Sequence, residues 1–165
     1  DVTKPFPIPD NSFDFIFTEH HIEHVAYKNA VFMLKESHRI LKPGGVIRIT
    51  TPDLKNSISD YLNNDASKKG IDRPNEFLLS GFYKAVNYMP VDDYVNAHGI
   101  NDMFYNYEHQ FIYDFESLKR VLQNAGFVNI IDSSQKDSIY KDFENIDTHN
   151  SDYDRYFSLA VEAEK

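Results

Sequence analysis

Two short apolar runs, FDFIFT at Phe13–Thr18 and VIRIT at Val46–Thr50, stand on either side of a single helical stripe that KPGG brings to an end. Phe13, Phe15, Ile16 and Phe17 are nearly continuous, a pattern of a strand covered on both faces as in a parallel sheet. From Ala26 the apolar positions move to helical spacing at Ala30, Met33, Leu34, Ser37, Ile40 and Leu41, with Lys35, Glu36 and Arg39 on the opposite side. Lys42 suits the negative end of a helix dipole, Pro43 cannot continue the helix, and Gly44 or Gly45 can take the positive φ of a reversal. Strand, helix, glycine turn and strand make a βαβ unit with a right-handed crossover, which commits the chain to an α/β fold.

The same grammar returns later. Asp114 can cap a helix whose stripe is Phe115, Leu118, Val121, Leu122 and Ala125, and Gly126 ends it before the apolar FVNII. Tyr156–Glu162 alternates apolar and polar at Phe157, Leu159 and Val161, which predicts an edge or antiparallel strand. The three prolines of KPFPIPDNS predict an extended loop over Lys4–Ser12 that closes in a turn. Between the two units lie about sixty residues, 53–113, too many for a simple connection. FLLSGFYKAV within them reads as helical. The stretch 87–111 is crowded with tyrosine, phenylalanine, asparagine and histidine, a composition suited to a lid over a small organic ligand or to a satellite helical cluster.

At 165 residues with 41% hydrophobic content, the chain is sized for one packed domain, 1–165, with 53–113 as an insertion. A formal charge of −9 and the lack of a basic stripe with interleaved aromatics argue against a nucleic-acid partner. No apolar run approaches the roughly 20 residues that cross a bilayer, so no membrane association is expected. The absence of cysteine excludes disulfides and thiolate metal sites and fits a cytoplasmic location.

The densest chemistry sits in FTEHHIEHV, where three histidines and two glutamates fall within nine residues, Phe17–Val25. His20, Glu23 and His24 fit the H-x-x-E-H pattern of the inverted zinc peptidases, in which two histidines share a helix face and the glutamate is the base. The context differs from that pattern, because the cluster stands where a strand ends and a crossover helix begins. In open α/β sheets the ligand lies outside the carboxyl ends of the strands, so Thr18–His21 are expected at the mouth of a cofactor and acceptor pocket rather than at a metal centre.

The stretches DVTKPFPIPDNSFDFIFTEHHIEHV, MLKESHRILKPGGVIRITTPDL and HQFIYDFESLKRVLQNAGF, in that order, resemble the second half of class I S-adenosylmethionine-dependent methyltransferases, nearest to small bacterial enzymes of the type 11 kind. The resemblance implies a Rossmann-like sheet of order 3-2-1-4-5-7-6 with strand seven antiparallel. FDFIFT, VIRIT, FVNII and YFSLAVE would then be strands four, five, six and seven. It also implies S-adenosylmethionine as cofactor, with Asp1 and Val2 at the adenine and Thr18, Glu19 and His20 facing the methionine part and the sulfonium. The acceptor is expected to be a small molecule or saccharide-like compound, with His20 or His21 as base and His109 contributing from the lid. The family's glycine-rich first loop and its ribose-binding acidic residue have no match here, so the chain reads as an N-terminally truncated domain. An exposed FDFIF edge would call for a second copy or a partner segment to cover it. A non-catalytic binding or assembly module is the alternative function, and a zinc peptidase the third.

Overall fold

The structure is a computed structural model, and it describes residues 1–63, 68, 70, 96–105, 107–133, 138–149 and 151–165. FLLSGFYKAV lies outside the described residues.

The βαβ unit forms as its pattern dictates. Strand β1 (Phe13–Glu19) leads through a single 3-10 turn at Ile22–His24 into helix α1 (Tyr27–Ile40), and strand β2 (Leu41–Pro52) returns parallel to β1. Helix α1 buries Ala30, Met33, Leu34, Ser37 and Ile40, the stripe read from spacing. KPGG proves to be a bulge near the start of β2: Phe13 pairs with Leu41 and Phe15 with Val46, and Gly44 takes φ 76° inside that jump.

Helix α2 (Leu54–Asn63) follows β2 at once, with the Asp53 carboxylate accepting from Lys55 N at 2.8 Å. Helix α3 (Asn96–Tyr105) packs on α2 and belongs to the same insertion. The chain re-enters the sheet beside the point where it left, because Leu54 N donates to Tyr113 O at 2.9 Å and Asp53 and Tyr113 form a parallel bridge. Helix α4 (Phe115–Ala125) opens on a reciprocal Asp114–Ser117 capping box and closes on Gly126 at φ 105°. Strand β3 (Val128–Ser133), a 3-10 turn at Lys141–Phe143, helix α5 (Asp152–Phe157) and strand β4 (Ser158–Glu164) complete the chain.

The four strands stand in the order β1-β2-β4-β3, with β4 antiparallel to both neighbours. The expected seventh strand is antiparallel and stands between β2 and β3, the internal place that the family order implies for it, buried along nearly its whole length. It also begins two residues later than the alternation suggested. Ser151 and Asp154 form a capping box that makes Tyr156 and Phe157 the end of a helix. The expectation that β1 is covered on both faces needs correction as well. Here β1 is the end strand of the described sheet, and Phe13 and Phe15 remain 44% and 40% exposed.

One face of the sheet, carrying Ile47, Ile49, Leu159, Val161 and Ala163, packs against α1 and α4 in a core that also holds Leu118, Val121 and Leu122. The other face holds a buried ionic network. Arg48 and Glu162 are opposed across β2 and β4, and their side chains pair. Asp147 completes the cluster with two bonds to Arg48, at 3.2 Å from Nε and 2.6 Å from the terminal nitrogen, and accepts from Thr50 Oγ1 at 2.8 Å. Arg48 and Glu162 are fully buried, so truncating either partner strands a charge away from water. Replacing Arg48 by leucine is expected to lower the unfolding free energy by about 3–5 kcal/mol, read as a fall in the urea midpoint; an unchanged midpoint would show that the network adds nothing.

Candidate active site

The parallel strands deliver their carboxyl ends to one side of the sheet, and β4 begins on that same side because Pro52 pairs with Ser158. A cavity of about 380 Å³ opens there, lined among others by His20, Glu23, His24, Pro52, Met103, Tyr107, His109, His149, Phe157 and Ser158. A volume of this order suits a small organic ligand.

His20 follows β1 directly in the left-handed region at φ 45°, while its N–H still bonds Thr50 O at 2.8 Å. A non-glycine residue held in that region costs about 1–3 kcal/mol and persists only where its surroundings enforce it. The turn lifts the His20 ring off the sheet, with Nδ1 3.3 Å from Glu23 Oε1 and Nε2 3.4 Å from Ser158 Oγ.

Glu23 is fully buried. Its Oε2 accepts from Thr51 Oγ1 at 2.9 Å, and its Oε1 has no hydrogen-bond partner, with His24 Nε2 at 3.8 Å. Burial opposes ionisation of this carboxyl, but the His20 ring and the Thr51 hydroxyl outweigh it and hold it below the usual carboxylate range. The backbone of Glu23 binds too: its carbonyl accepts from Gln110 N at 2.7 Å and Phe111 N at 3.1 Å. That pair fixes the end of the insertion against the strand ends and delivers His109 to the cavity. The His109 ring lies 4.8 Å from that of His24, and its Nδ1 is 2.6 Å from Met103 O. A carbonyl only accepts, so Nδ1 carries the proton. Burial pushes the His109 imidazole down from its ordinary value, toward the neutral form.

A second cavity, of about 370 Å³, lies beside the first and is lined by Asp1, Val2, Thr3, His21, His24, Val25, Ala26, Asn29 and Gln110. His24 is common to both. The loop that forms this wall is clamped to α1 by side chains read as the solvent side of that helix. Glu36 accepts from Phe6 N at 2.8 Å, and Arg39 donates to Ile8 O at 2.8 Å and Phe6 O at 3.1 Å.

The residues singled out from sequence therefore divide. Asp1, Val2 and His21 line the second cavity, while His20 and His109 line the first. Thr18 and Glu19 line neither. The Glu19 carboxylate accepts from Thr148 N at 2.8 Å, Thr148 Oγ1 at 2.6 Å and His149 N at 3.0 Å, and so anchors the segment that brings His149 over His20 with ring centroids 4.5 Å apart. The H-x-x-E-H spacing does not lie on an α-helix: Ile22–His24 is one 3-10 turn. Thr51, Met103 and His149 carried no readable signal, since each reaches the site from a separate part of the chain.

This arrangement is a Rossmann-like α/β fold with its clefts at the strand ends. Residues 1–49 match the model of a family described as a methyltransferase domain. Among solved structures, the chain is similar to an O-methyltransferase family protein from Burkholderia thailandensis, at 13% identity and a TM-score of 0.52 over 100% of this chain and 34% of that one. It is also similar to PigF, solved with SAH, at 16% identity and a TM-score of 0.50 over 100% of this chain and 33% of that one. A third, described as a possible exported protein from Bordetella parapertussis, is 11% identical with a TM-score of 0.52 over 100% and 42%. The chain spans less than two thirds of the length of each. No curated protein matches it. Residues 1–49 are thus similar to a methyltransferase domain, and the chain shares its α/β fold with these solved structures.

The Glu23–Thr51 bond is the joint on which this geometry turns. Thr51→Val removes the hydroxyl donor and leaves a buried carboxylate oxygen unpaired, which is expected to cost about 1–3 kcal/mol of stability in chemical denaturation, whereas Thr51→Ser should stay near wild type.

Proposed function

We propose that the intact protein is an S-adenosylmethionine-dependent methyltransferase that acts on a small-molecule or saccharide-like acceptor. The observation that carries this reading is the pair of adjoining cavities at the strand ends, one lined by Asp1 and Val2 and the other by His20 and His109, with His24 common to both. It is supported by the methyltransferase-domain match over residues 1–49, which contains every one of these residues except His109.

In this reading Asp1, Val2 and His21 would hold the adenosyl end of the cofactor, and His24 would stand between it and the acceptor cavity. The bound cofactor would supply an activated methyl group to an acceptor atom held in the neighbouring cavity. The protein supplies alignment and removes a proton where the acceptor carries one. His20 is suited to that base. Glu23 faces its Nδ1 at 3.3 Å, which favours the tautomer with a lone pair on Nε2, and the Nε2 side opens on the cavity. Residues 53–113 act as the acceptor lid, since Ile100, Met103, Tyr107 and His109 from this insertion line the cavity. Glu19 works at one remove by holding His149 in the wall.

The exposed end strand β1, with Phe13 and Phe15 on it, supports a second reading as a binding module that pairs through this edge. Calorimetric titration of the intact protein with S-adenosylhomocysteine separates the two. The methyltransferase reading expects one site of micromolar affinity, weakened in Val2→Asp. A folded protein that takes up none of the compound would overturn it in favour of the module.

A further inference from the structure

We propose that Glu23, His24 and His109 form a binding site for a divalent first-row transition-metal ion, using one carboxylate and two imidazoles and leaving positions open to water or substrate. Their ligand atoms all lie within 4.8 Å of one another. One ion bound at about 2.0–2.2 Å holds its ligand atoms roughly 3 to 4 Å apart, a spacing that His24 Nε2 and Glu23 Oε1 already have at 3.8 Å.

Three further features are those of a prepared site rather than of chance proximity. Glu23 Oε1 is a fully buried carboxylate oxygen that accepts no well-aligned hydrogen bond, with His20 Nδ1 at 3.3 Å and His24 Nε2 at 3.8 Å from it. Its sister oxygen is fixed by Thr51, so the carboxylate is held from behind with one oxygen left over. The His109 ring is likewise held from behind: Nδ1–H donates to Met103 O at 2.6 Å, which leaves the lone pair on Nε2. Ligand imidazoles almost always give their second nitrogen to such an acceptor, and ligand carboxylates are themselves hydrogen-bonded. Two imidazoles and one carboxylate suit zinc, cobalt, nickel or iron better than magnesium or calcium, which prefer oxygen alone.

The third ligand explains why the histidine cluster alone misleads. The peptidase pattern pairs His20 with His24, whereas the backbone bonds from Gln110 and Phe111 to Glu23 bring His109 in from the far end of the insertion. Three protein ligands with open positions are the arrangement of metal sites that bind substrate. Under the methyl-transfer reading those positions would take acceptor oxygens. That last step rests on the reading; the ion itself does not.

The test is titration of the metal-stripped intact protein with Co2+, followed by its visible d–d absorption. One equivalent is expected to bind and to be displaced by Zn2+, with affinity reduced by about 100-fold in His109→Ala and in His24→Ala, both checked for folding by circular dichroism. A folded wild type that takes up no stoichiometric Co2+, or uptake unchanged in both variants, would overturn the proposal. Either outcome leaves the methyl-transfer reading to the S-adenosylhomocysteine titration.

Discussion

A fully buried carboxylate one turn beyond the first strand organises the strand-end half of this molecule. Glu23 sits where water cannot solvate its charge, so every polar group around it is under strong constraint. Its side chain ties the 3-10 turn to the end of β2 through Thr51, and its backbone carbonyl ties the same turn to the returning insertion through Gln110 and Phe111. Three chain segments distant in sequence thus meet at one residue. The cavity exists because they do, since His20, His24 and His109 all take their positions from this junction.

The ionic network on the opposite face works by the same physics toward a different end. Arg48, Asp147 and Glu162 are paired out of water, and Asp147 pulls its segment down over the strands. That segment runs directly into Thr148 and His149, which Glu19 then captures. Core and site are coupled here, because the residues that cover the sheet also carry one wall of the cavity. The chemistry of the mouth is accordingly histidine-rich but not loose: the rings of His20, His24, His109 and His149 are each aimed by a carbonyl, a carboxylate or another ring.

Much of the fold was legible because it rests on local rules. The stripe of α1, the Asp114 cap, the Gly126 stop and the parallel return of β2 each follow from spacing and backbone chemistry over a few residues. The internal position of β4 followed from the family's strand order but not from its own residues. Glu162 interrupts its apolar run and mimics a solvent face, and only the opposed Arg48 makes that glutamate a core residue. Glu36 and Arg39 misled in the same way, since charged side chains read as solvent-facing turn out to grip the Asp1–Ser12 loop. The cavity lies where the strand-end rule expects one, whereas the side chains that line it could not be read from that rule. Glu19 and His20 are adjacent in sequence, yet the left-handed turn at His20 sends one to a loop and the other to the cavity.

The central claim is that the two cavities sharing His24 are the cofactor and acceptor halves of one methyl-transfer site. A crystal structure of the intact protein with S-adenosylhomocysteine tests it most directly. The account predicts the adenosyl end against Asp1, Val2 and His21, with the sulfur turned past His24 toward the space between His20 and His109. A product molecule seated wholly in the His20–His109 cavity, with Asp1 and Val2 untouched, would contradict it.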